Sequence, residues 1–467
     1  MPIISLRKIK PPRKNSLITW LAVLLGGATL LTMLSYHGFT LKTAAGVLIF
    51  IGSVFLLVYF FLRTFHPRVL SEPVKILAVE SVVLMMLLIG ILIENTPGIP
   101  SYFLPAGGAG ILLTVLISPV MAGIGIFVTA IFAGTLGGLS LSSFYVAAAG
   151  GMAAVFSSLN VRNRNDLNKS GLYILTANIM TVSALDMIGG QSLVPVGVNV
   201  AWGAGNALIS VVIASGLLPI MENLFGITTN IRLLELGDFN QPLLKRLMLE
   251  APGSYHHSLM VGNLAENACE RIEANALLAR VGAYYHDIGK LKNPQYFVEN
   301  QLHMKDSHKN LKPNISALIL KRHVKDGLAL AEEYKIDRVV RDMVAEHHGK
   351  TLIEYFYKKV TEEDLGEDVL DEKEYRYPGP RPKSKESGVL MLADSAEAAC
   401  RALAEPTYSR ISAVVTKVIN NKFIDGQLNN CDLTLASLEV IQESFINTLA
   451  AIYHSRIEYP EDKEENS

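Results

Sequence analysis

Long apolar runs dominate the first half of the chain, and they constrain its fold more than any other feature. Eight stand out: Ser16–Tyr36, Ala44–Leu62, Ile76–Ile93, Tyr102–Ser118, Val120–Leu139, Phe144–Leu159, Gly171–Gly189 and Val198–Met221. A helix needs about 20 mostly apolar residues to cross a bilayer, where every backbone polar group must be bonded within the segment. Hydrophobic residues make up 50% of the 467, too many for an ordinary soluble enzyme. Charge is placed as unevenly as hydropathy. Up to Phe225 there are 12 Lys/Arg against 6 Asp/Glu, and beyond it 30 against 37. The net charge of −1 therefore conceals a basic, apolar part and an acidic part that mixes charged and apolar residues as a soluble helical domain does. The second part is long enough for one well-cored domain.

Basic residues set the expected orientation. Arg7, Lys8, Lys10, Arg13 and Lys14 precede the first run; Arg63, Arg68 and Lys75 follow the second; Arg162, Arg164 and Lys169 follow the sixth. The loops Asn95–Ser101 and Gln191–Gly197 carry no Lys or Arg. Eight spans with the N-terminus inside put all three clusters on the cytoplasmic face, whereas seven spans do not. The first run is longer than a signal core and lacks a small-residue cleavage site, so it reads as a span. The expected organisation is a basic cytoplasmic N-terminus (1–15), a transmembrane region of about eight helices (16–225), a juxtamembrane linker (226–250), a cytoplasmic domain (251–458) and an acidic tail (459–467). Cys269, Cys400 and Cys431 all lie in the soluble part without a CxxC pair, which reads as reduced structural thiols. Glu80 and Asp186 lie within spans but have no second acid or base at matching depth, so packing is preferred over transport. The stretches Ala106–Gly110, Gly134–Gly138 and Gly150–Gly151 lack the strand and lysine of a phosphate loop and read as close helix packing.

Nine of the eleven histidines fall in the second half. Most sit in short motifs: Gly253-Ser-Tyr-His-His-Ser258, Tyr285-His-Asp-Ile-Gly-Lys290, Lys321-Arg-His-Val-Lys-Asp-Gly327 and Ala345-Glu-His-His-Gly349. Leu392-Ala-Asp-Ser-Ala-Glu-Ala398 follows. Apolar residues recur at helical spacing over Ser258–Ala276, Ala276–Tyr285, Ile315–Tyr334 and Val339–His348, while Asn293–Asn314 is polar and carries Pro294 and Pro313. The pattern predicts an all-α domain in which each helix turns one or two donors inward. Neutral imidazole and carboxylate suit first-row divalent metals such as Fe and Mn, whereas a structural zinc site favours thiolates. A carboxylate has two oxygens and can bridge two metals, which together clamp the entering and leaving oxygens of a phosphodiester. Any one of these histidines alone is more often a hydrogen-bonded structural residue; the combination is not.

The combination resembles the HD superfamily of metal-dependent phosphohydrolases. More closely, it resembles the membrane 7TM-HD family of cyclic-di-AMP phosphodiesterases (PgpH type). The carrying segments are Leu233-Leu-Glu-Leu236, Pro252–Val261, His286–Lys290, Glu299-Asn-Gln301, Ser316–Ile319, His323–Gly327, Glu346-His-His348, Tyr377-Pro-Gly-Pro380, Ala393-Asp-Ser395, Asp425-Gly-Gln-Leu428, Cys431–Thr434 and Arg456–Pro460. The resemblance implies an all-α, polytopic helical bundle followed by an all-helical cytoplasmic HD domain. It implies two divalent metal ions, Fe or Mn, the first held by His257, His286, Asp287 and Asp394, the second by His323, His347 and His348, with Asp287 bridging. His257 is chosen over His256 because the family's first ligand directly precedes the serine. Lys290 would contact a phosphate oxygen. His303 and His308 fall in the loop beside the site, His308 either touching substrate or facing solvent, and His454 reads as structural.

The implied activity opens cyclic-di-AMP to linear pApA from a multi-pass position in the inner (cytoplasmic) membrane. The implied partners are a cyclic dinucleotide and the lipid bilayer, with no nucleic-acid polymer and with room for a homodimer. Two alternatives stay open: turnover of another nucleotide such as cyclic-di-GMP, and a non-catalytic nucleotide-binding membrane receptor. Two departures stand out. Many family members carry a large extracellular domain where this chain has only His37–Thr43. The GYP turn that marks the cyclic-di-GMP branch is replaced here by Gly349-Lys-Thr-Leu-Ile-Glu354.

Overall fold

The computed structural model describes residues 25–29, 31–33, 36, 40–67, 69–136, 138–159, 161–190, 192–301, 307–309, 311–363 and 371–453. Most of the first apolar run, the N-terminal basic cluster, His303, His454 and the acidic tail lie outside the described residues. Among the described residues the protein is all-α, with helices, short 3₁₀ turns and one isolated bridge between Leu352 and Arg376. The chain divides into two compact units, Met1–Ile231 and Arg232–Ser467.

In the first unit, seven helices occupy the second to eighth expected spans: α1 (Leu41–Phe65), α2 (Pro73–Glu94), α3 (Ala106–Leu116), α4 (Pro119–Leu136), α5 (Leu141–Ser157), α6 (Arg164–Ile188) and α7 (Leu193–Phe225). Of these, α1, α2, α4, α6 and α7 are long and apolar enough to cross a membrane, and α3 and α5 are shorter. The run Tyr102–Ser118 is shortened because Pro105 interrupts it, leaving a 3₁₀ turn at Ser101–Phe103 ahead of α3. The break is held from α7: Asn206 Nδ2 donates to Tyr102 O (3.1 Å) and Leu104 O (2.7 Å). Asn178 on α6 joins this network, donating to Asn206 Oδ1 at 3.1 Å and to Gly203 O at 3.2 Å. Irregular backbone at apolar depth needs such protein partners.

Helix α3 is buried along its whole length except Val115. A Cβ at Gly107, Gly108 or Gly110 would press on Ile174, Ser210 or Gly151 respectively, so the glycine-rich stretch serves close helix approach. Large apolar side chains such as Ile49, Leu92, Leu172, Met180 and Leu208 are exposed instead, the reverse of a soluble bundle. Asp186 accepts a hydrogen bond from Asn199 on α7 at 2.9 Å, a packing contact.

The second unit is built from α8 (Asn230–Leu236), α9 (Pro242–Glu250), α10 (Pro252–Arg271), α11 (Ala276–Tyr285), α12 (Pro313–Glu333), α13 (Arg338–Glu346), α14 (Glu354–Glu363), α15 (Lys385–Arg401), α16 (Tyr408–Ile424) and α17 (Leu435–Tyr453). The stretch 226–250, expected as a linker, is largely helical. Leu233 and Leu236 of α8 and Leu243, Leu244 and Leu247 of α9 are buried in one cluster with Val281, Tyr285, Ile288 and Val340. Pro242 starts α9 at its first turn, where the missing N–H costs nothing. Its leucines then form one apolar stripe. Helix α15 runs through the centre of the domain, with Val389–Ala393 fully buried. The three cysteines are free and buried, as reduced structural thiols.

A 3₁₀ turn at Ile288–Lys292 follows α11 and lies against α12. A Cβ at Gly289 would collide with the His323 carbonyl and the Gly327 amide, so only glycine lets the two segments touch. That contact brings the His286-Asp287 pair beside His323. Gly289→Ala is therefore expected to cost about 1–3 kcal/mol through overpacking, lowering the unfolding temperature by roughly 2–12 °C. Differential scanning fluorimetry on the detergent-solubilised chain checks this, and an unchanged melting temperature would show that the contact is slack.

Candidate metal centre

Two adjacent pairs of site residues lie at helix C-termini. Helix α11 ends at Tyr285 with His286 as its C-cap, and α13 ends at Glu346 with His347 as its C-cap. The negative end of a helix dipole favours a nearby cation. Gly349, at φ +53°, then turns the chain away in the left-handed region. His323 comes from the middle of α12, His257 from the second turn of α10, and Asp394 from the buried centre of α15.

Four of the histidines have Nδ1 fixed by an acceptor. His286 faces the Ala283 carbonyl (2.7 Å), His323 the Leu320 carbonyl (2.5 Å), His347 the Val344 carbonyl (2.8 Å) and His257 the Glu397 carboxylate (2.5 Å). Donation from Nδ1–H assigns the tautomer and leaves Nε2 as the inward donor atom. These Nε2 atoms surround Asp287. Its Oδ2 lies 3.1 Å from His286 Nε2 and 3.6 Å from His257 Nε2, while Oδ1 lies 3.4 Å from His323 Nε2 and 3.9 Å from His347 Nε2. One carboxylate thus presents an oxygen to each of two clusters, His257/His286/Asp287 and His323/His347/His348, whose donor atoms lie within 4.8 Å of one another in each group. Asp394 spans the same gap, with Oδ1 3.1 Å from His257 Nε2 and Oδ2 3.5 Å from His348 Nδ1. All seven residues expected as ligands converge here. His257 is buried and His256 is exposed.

The donors fit divalent cations. Asp287 Oδ1 and His286 Nε2 are buried without a hydrogen-bond partner, a costly state unless a cation meets them. Burial keeps His323 below its ordinary value, brings His347 down to about 3 and holds His348 well below the usual range, so all three are neutral imidazoles. Burial alone would raise Asp287, but His286 and Lys290 beside it hold it well below the usual carboxylate value. Asp394 is likewise raised by burial but pulled well below, chiefly by its hydrogen bond to His257. Neutral imidazole and ionised carboxylate are the protonation states a metal requires. His257 differs: burial would lower it, but its bonds to Asp394 and Glu397 outweigh this and raise it to about 9. A cation at its Nε2 would replace that proton.

Lys290 stands at the edge of the clusters rather than free in the cleft. Its Nζ lies 2.7 Å from Asp287 Oδ2 and 2.6 Å from Glu299 Oε1, above the Phe297 ring. Glu299 also accepts from Ser254 Oγ at 2.9 Å, and Asn300 Oδ1 accepts from the Ser254 amide at 3.0 Å. A Cβ at Gly253 would strike the Glu299 carbonyl, which explains the glycine at the start of α10. Facing the clusters is a cleft of 720 Å³ whose walls include Tyr296, Phe297, Tyr355, Phe356 and Tyr377. His308 is buried on this wall, its Nε2 held 2.8 Å from the Tyr296 carbonyl.

Glu397 lies in the Leu392–Ala398 motif, and Glu299 and Tyr377 in segments that carry the family resemblance, but no motif there assigns them a role. Glu397 follows Asp394 by three positions and so shares its helix face, a spacing that could have marked it as the partner of a ligand. Tyr377 lies over His348, with ring centroids 4.2 Å apart, a contact that chain spacing does not reveal.

Residues 41–229 match the family described as "7TM receptor with intracellular HD hydrolase", and residues 254–399 match the HD domain family. The chain is 35% identical over 432 residues to the Cyclic-di-AMP phosphodiesterase PgpH of Bacillus subtilis, covering 90% of this chain and 60% of that one. It is 39% identical over 316 residues to the protein of the same name from Listeria monocytogenes, covering 67% of this chain and 44% of that one. The chain thus spans about half the length of these curated relatives. The crystal structure of the L. monocytogenes PgpH HD domain in complex with cyclic-di-AMP is 44% identical, with a TM-score of 0.45, covering 46% of this chain and 100% of that one. With a receptor-type membrane region followed by an HD domain, this chain is a multi-pass membrane protein that belongs to the 7TM-HD family.

Proposed function

We propose that the chain is a membrane-anchored phosphodiesterase that hydrolyses cyclic-di-AMP to linear pApA at a centre of two divalent metal ions, Fe or Mn. The observation that carries this reading is Asp287, whose two oxygens face separate histidine clusters. His257, His286, Asp287 and Asp394 would hold the first ion, and His323, His347, His348 and Asp287 the second. When bound, two such ions activate water and stabilise charge on both the entering and leaving oxygens of a phosphodiester. In the balanced reaction the oxygen of water bonds to phosphorus, the P–O3′ bond breaks, and the departing alkoxide takes a proton. The product carries one 5′-phosphate and one free 3′-hydroxyl.

The protein's own groups prepare this step. Nδ1 bonds to helix carbonyls and to Glu397 hold the imidazoles in one orientation. The ion pair with Lys290 fixes Asp287, and the lysine lends positive charge to a phosphate oxygen. The aromatic residues of the cleft offer faces on which bases stack. The choice of adenine rests on the relatives' names and on the absence of the GYP turn after His348. Cyclic-di-GMP is the competing substrate.

The catalytic domain is assigned to the cytoplasm and the spans to the inner membrane, because the three basic clusters then share one face. A reporter fused after Pro460 should be active only in the cytoplasm, and activity confined to the outside would reverse the topology. On substrate, purified chain loaded with Mn should show a kcat/KM for cyclic-di-AMP about tenfold or more above that for cyclic-di-GMP, roughly 1.4 kcal/mol of discrimination. Equal rates, or preference for guanine, would move the chain to the competing substrate and leave the metal centre intact.

A further inference from the structure

We infer that Lys422, with Thr351 and Ser395, forms a second anion subsite that binds the non-reacting phosphate of a cyclic dinucleotide. The inference rests on the phosphodiester reading above and extends it to the part of the substrate that undergoes no chemistry.

Lys422 lies in the last turn of α16. Its Nζ donates to Thr351 Oγ1 at 2.9 Å. Thr351 belongs to the turn behind the second histidine cluster, its amide donating to the His348 carbonyl at 3.1 Å. Ser395 directly follows Asp394 on α15. These three residues line the cleft that the metal-cluster side chains open into, and they also line an adjoining hollow of 580 Å³. The subsite therefore stands where the two spaces meet.

Charge bookkeeping singles out this lysine. The carboxylates that raise it are those of Asp394, Asp425 and Glu354. Each is already engaged: Asp394 with His257 and His348, Asp425 with both terminal nitrogens of Arg376 at 3.0 Å, and Glu354 with Lys358 at 3.6 Å. Among the described residues Lys422 makes no ion pair, whereas Lys290 makes two and Arg401 pairs with Glu397. Lys359, also on the cleft wall, shows no ion pair either, but it does not hydrogen-bond to the turn behind His348. Burial lowers Lys422 to about 8, so it remains largely cationic at neutral pH with no counter-ion of its own. A partly desolvated cation in this state gains most from an incoming anion.

Its placement decides which phosphate. Lys290 already brings positive charge to Asp287, where the reacting phosphorus must sit. Lys422 lines both the cleft and the adjoining hollow, whereas Lys290 lines the cleft and not the hollow. A cyclic dinucleotide carries two phosphates on one ring, so anchoring the first at the metals presents the second to another part of the cleft. A cation there selects substrates with two phosphates over simple phosphodiesters.

The test compares wild type, Lys422→Met and Lys422→Arg as full chains in detergent, loaded with Mn. Cyclic-di-AMP is assayed beside bis(p-nitrophenyl) phosphate, a diester with one phosphate, and metal per chain and cyclic-di-AMP binding are measured on the same samples. Lys422→Met should raise KM for cyclic-di-AMP about tenfold or more, with the loss in kcat/KM exceeding that on bis(p-nitrophenyl) phosphate by roughly fivefold or more. Lys422→Arg should recover most of the difference, and metal content should match wild type in both. Equal losses on the two substrates, an unmoved KM, or lost metal would overturn the subsite while leaving the functional reading in place. Wild type that neither binds nor cleaves cyclic-di-AMP would overturn both.

Discussion

Asp287 is a carboxylate with 1% exposure, held ionised among four histidine rings and one lysine. Burying such a charge costs several kcal/mol unless compensating groups surround it. Much of the second unit supplies that compensation. Two helices end at the site and turn the negative ends of their dipoles toward it, which suits a cation and would not suit a lone anion. The carboxylate and the metal ions it is read to bind are therefore mutually dependent. Gly289 at the His323 carbonyl and Gly253 at the Glu299 carbonyl are the steric conditions for that arrangement. Each is a position where a methyl group would push one donor-bearing segment off another.

The clustered histidines and carboxylates were legible because their chemistry is concentrated in few residue types. Histidine and aspartate are sparse in apolar helices, so four short motifs on helical repeats already implied convergence. Other features were hidden because they depend on three-dimensional neighbours. Leu243, Leu244 and Leu247 lie between Pro242 and Pro252 in a short segment flanked by polar residues, which disguised a core helix as a linker. Lys290 was legible as a site residue, but its pairing with Glu299 was not, because the intervening loop shows no regular period. Lys422 is far along the chain from every histidine motif, and only the fold brings it to the cleft wall beside Thr351.

The membrane unit shows the same division. Apolar runs located seven helices, yet not the break before α3, because hydropathy ignores what Pro105 does to backbone bonding. Asn206 and Asn178 repair that break from neighbouring helices. Their cost at apolar depth is offset by the hydrogen bonds they make to backbone carbonyls and to each other. The glycines of α3 were read as packing residues, and their neighbours at close range bear this out.

The central claim is that one carboxylate, Asp287, joins two metal sites. Metal content of the purified chain, measured by inductively coupled plasma mass spectrometry beside turnover of cyclic-di-AMP, tests it most directly in wild type and Asp287→Ala. The account predicts about two divalent ions per chain in wild type, and in the variant at most about one ion together with lost turnover, since a bridging ligand serves both sites. A folded Asp287→Ala chain that keeps about two ions and normal turnover would contradict it.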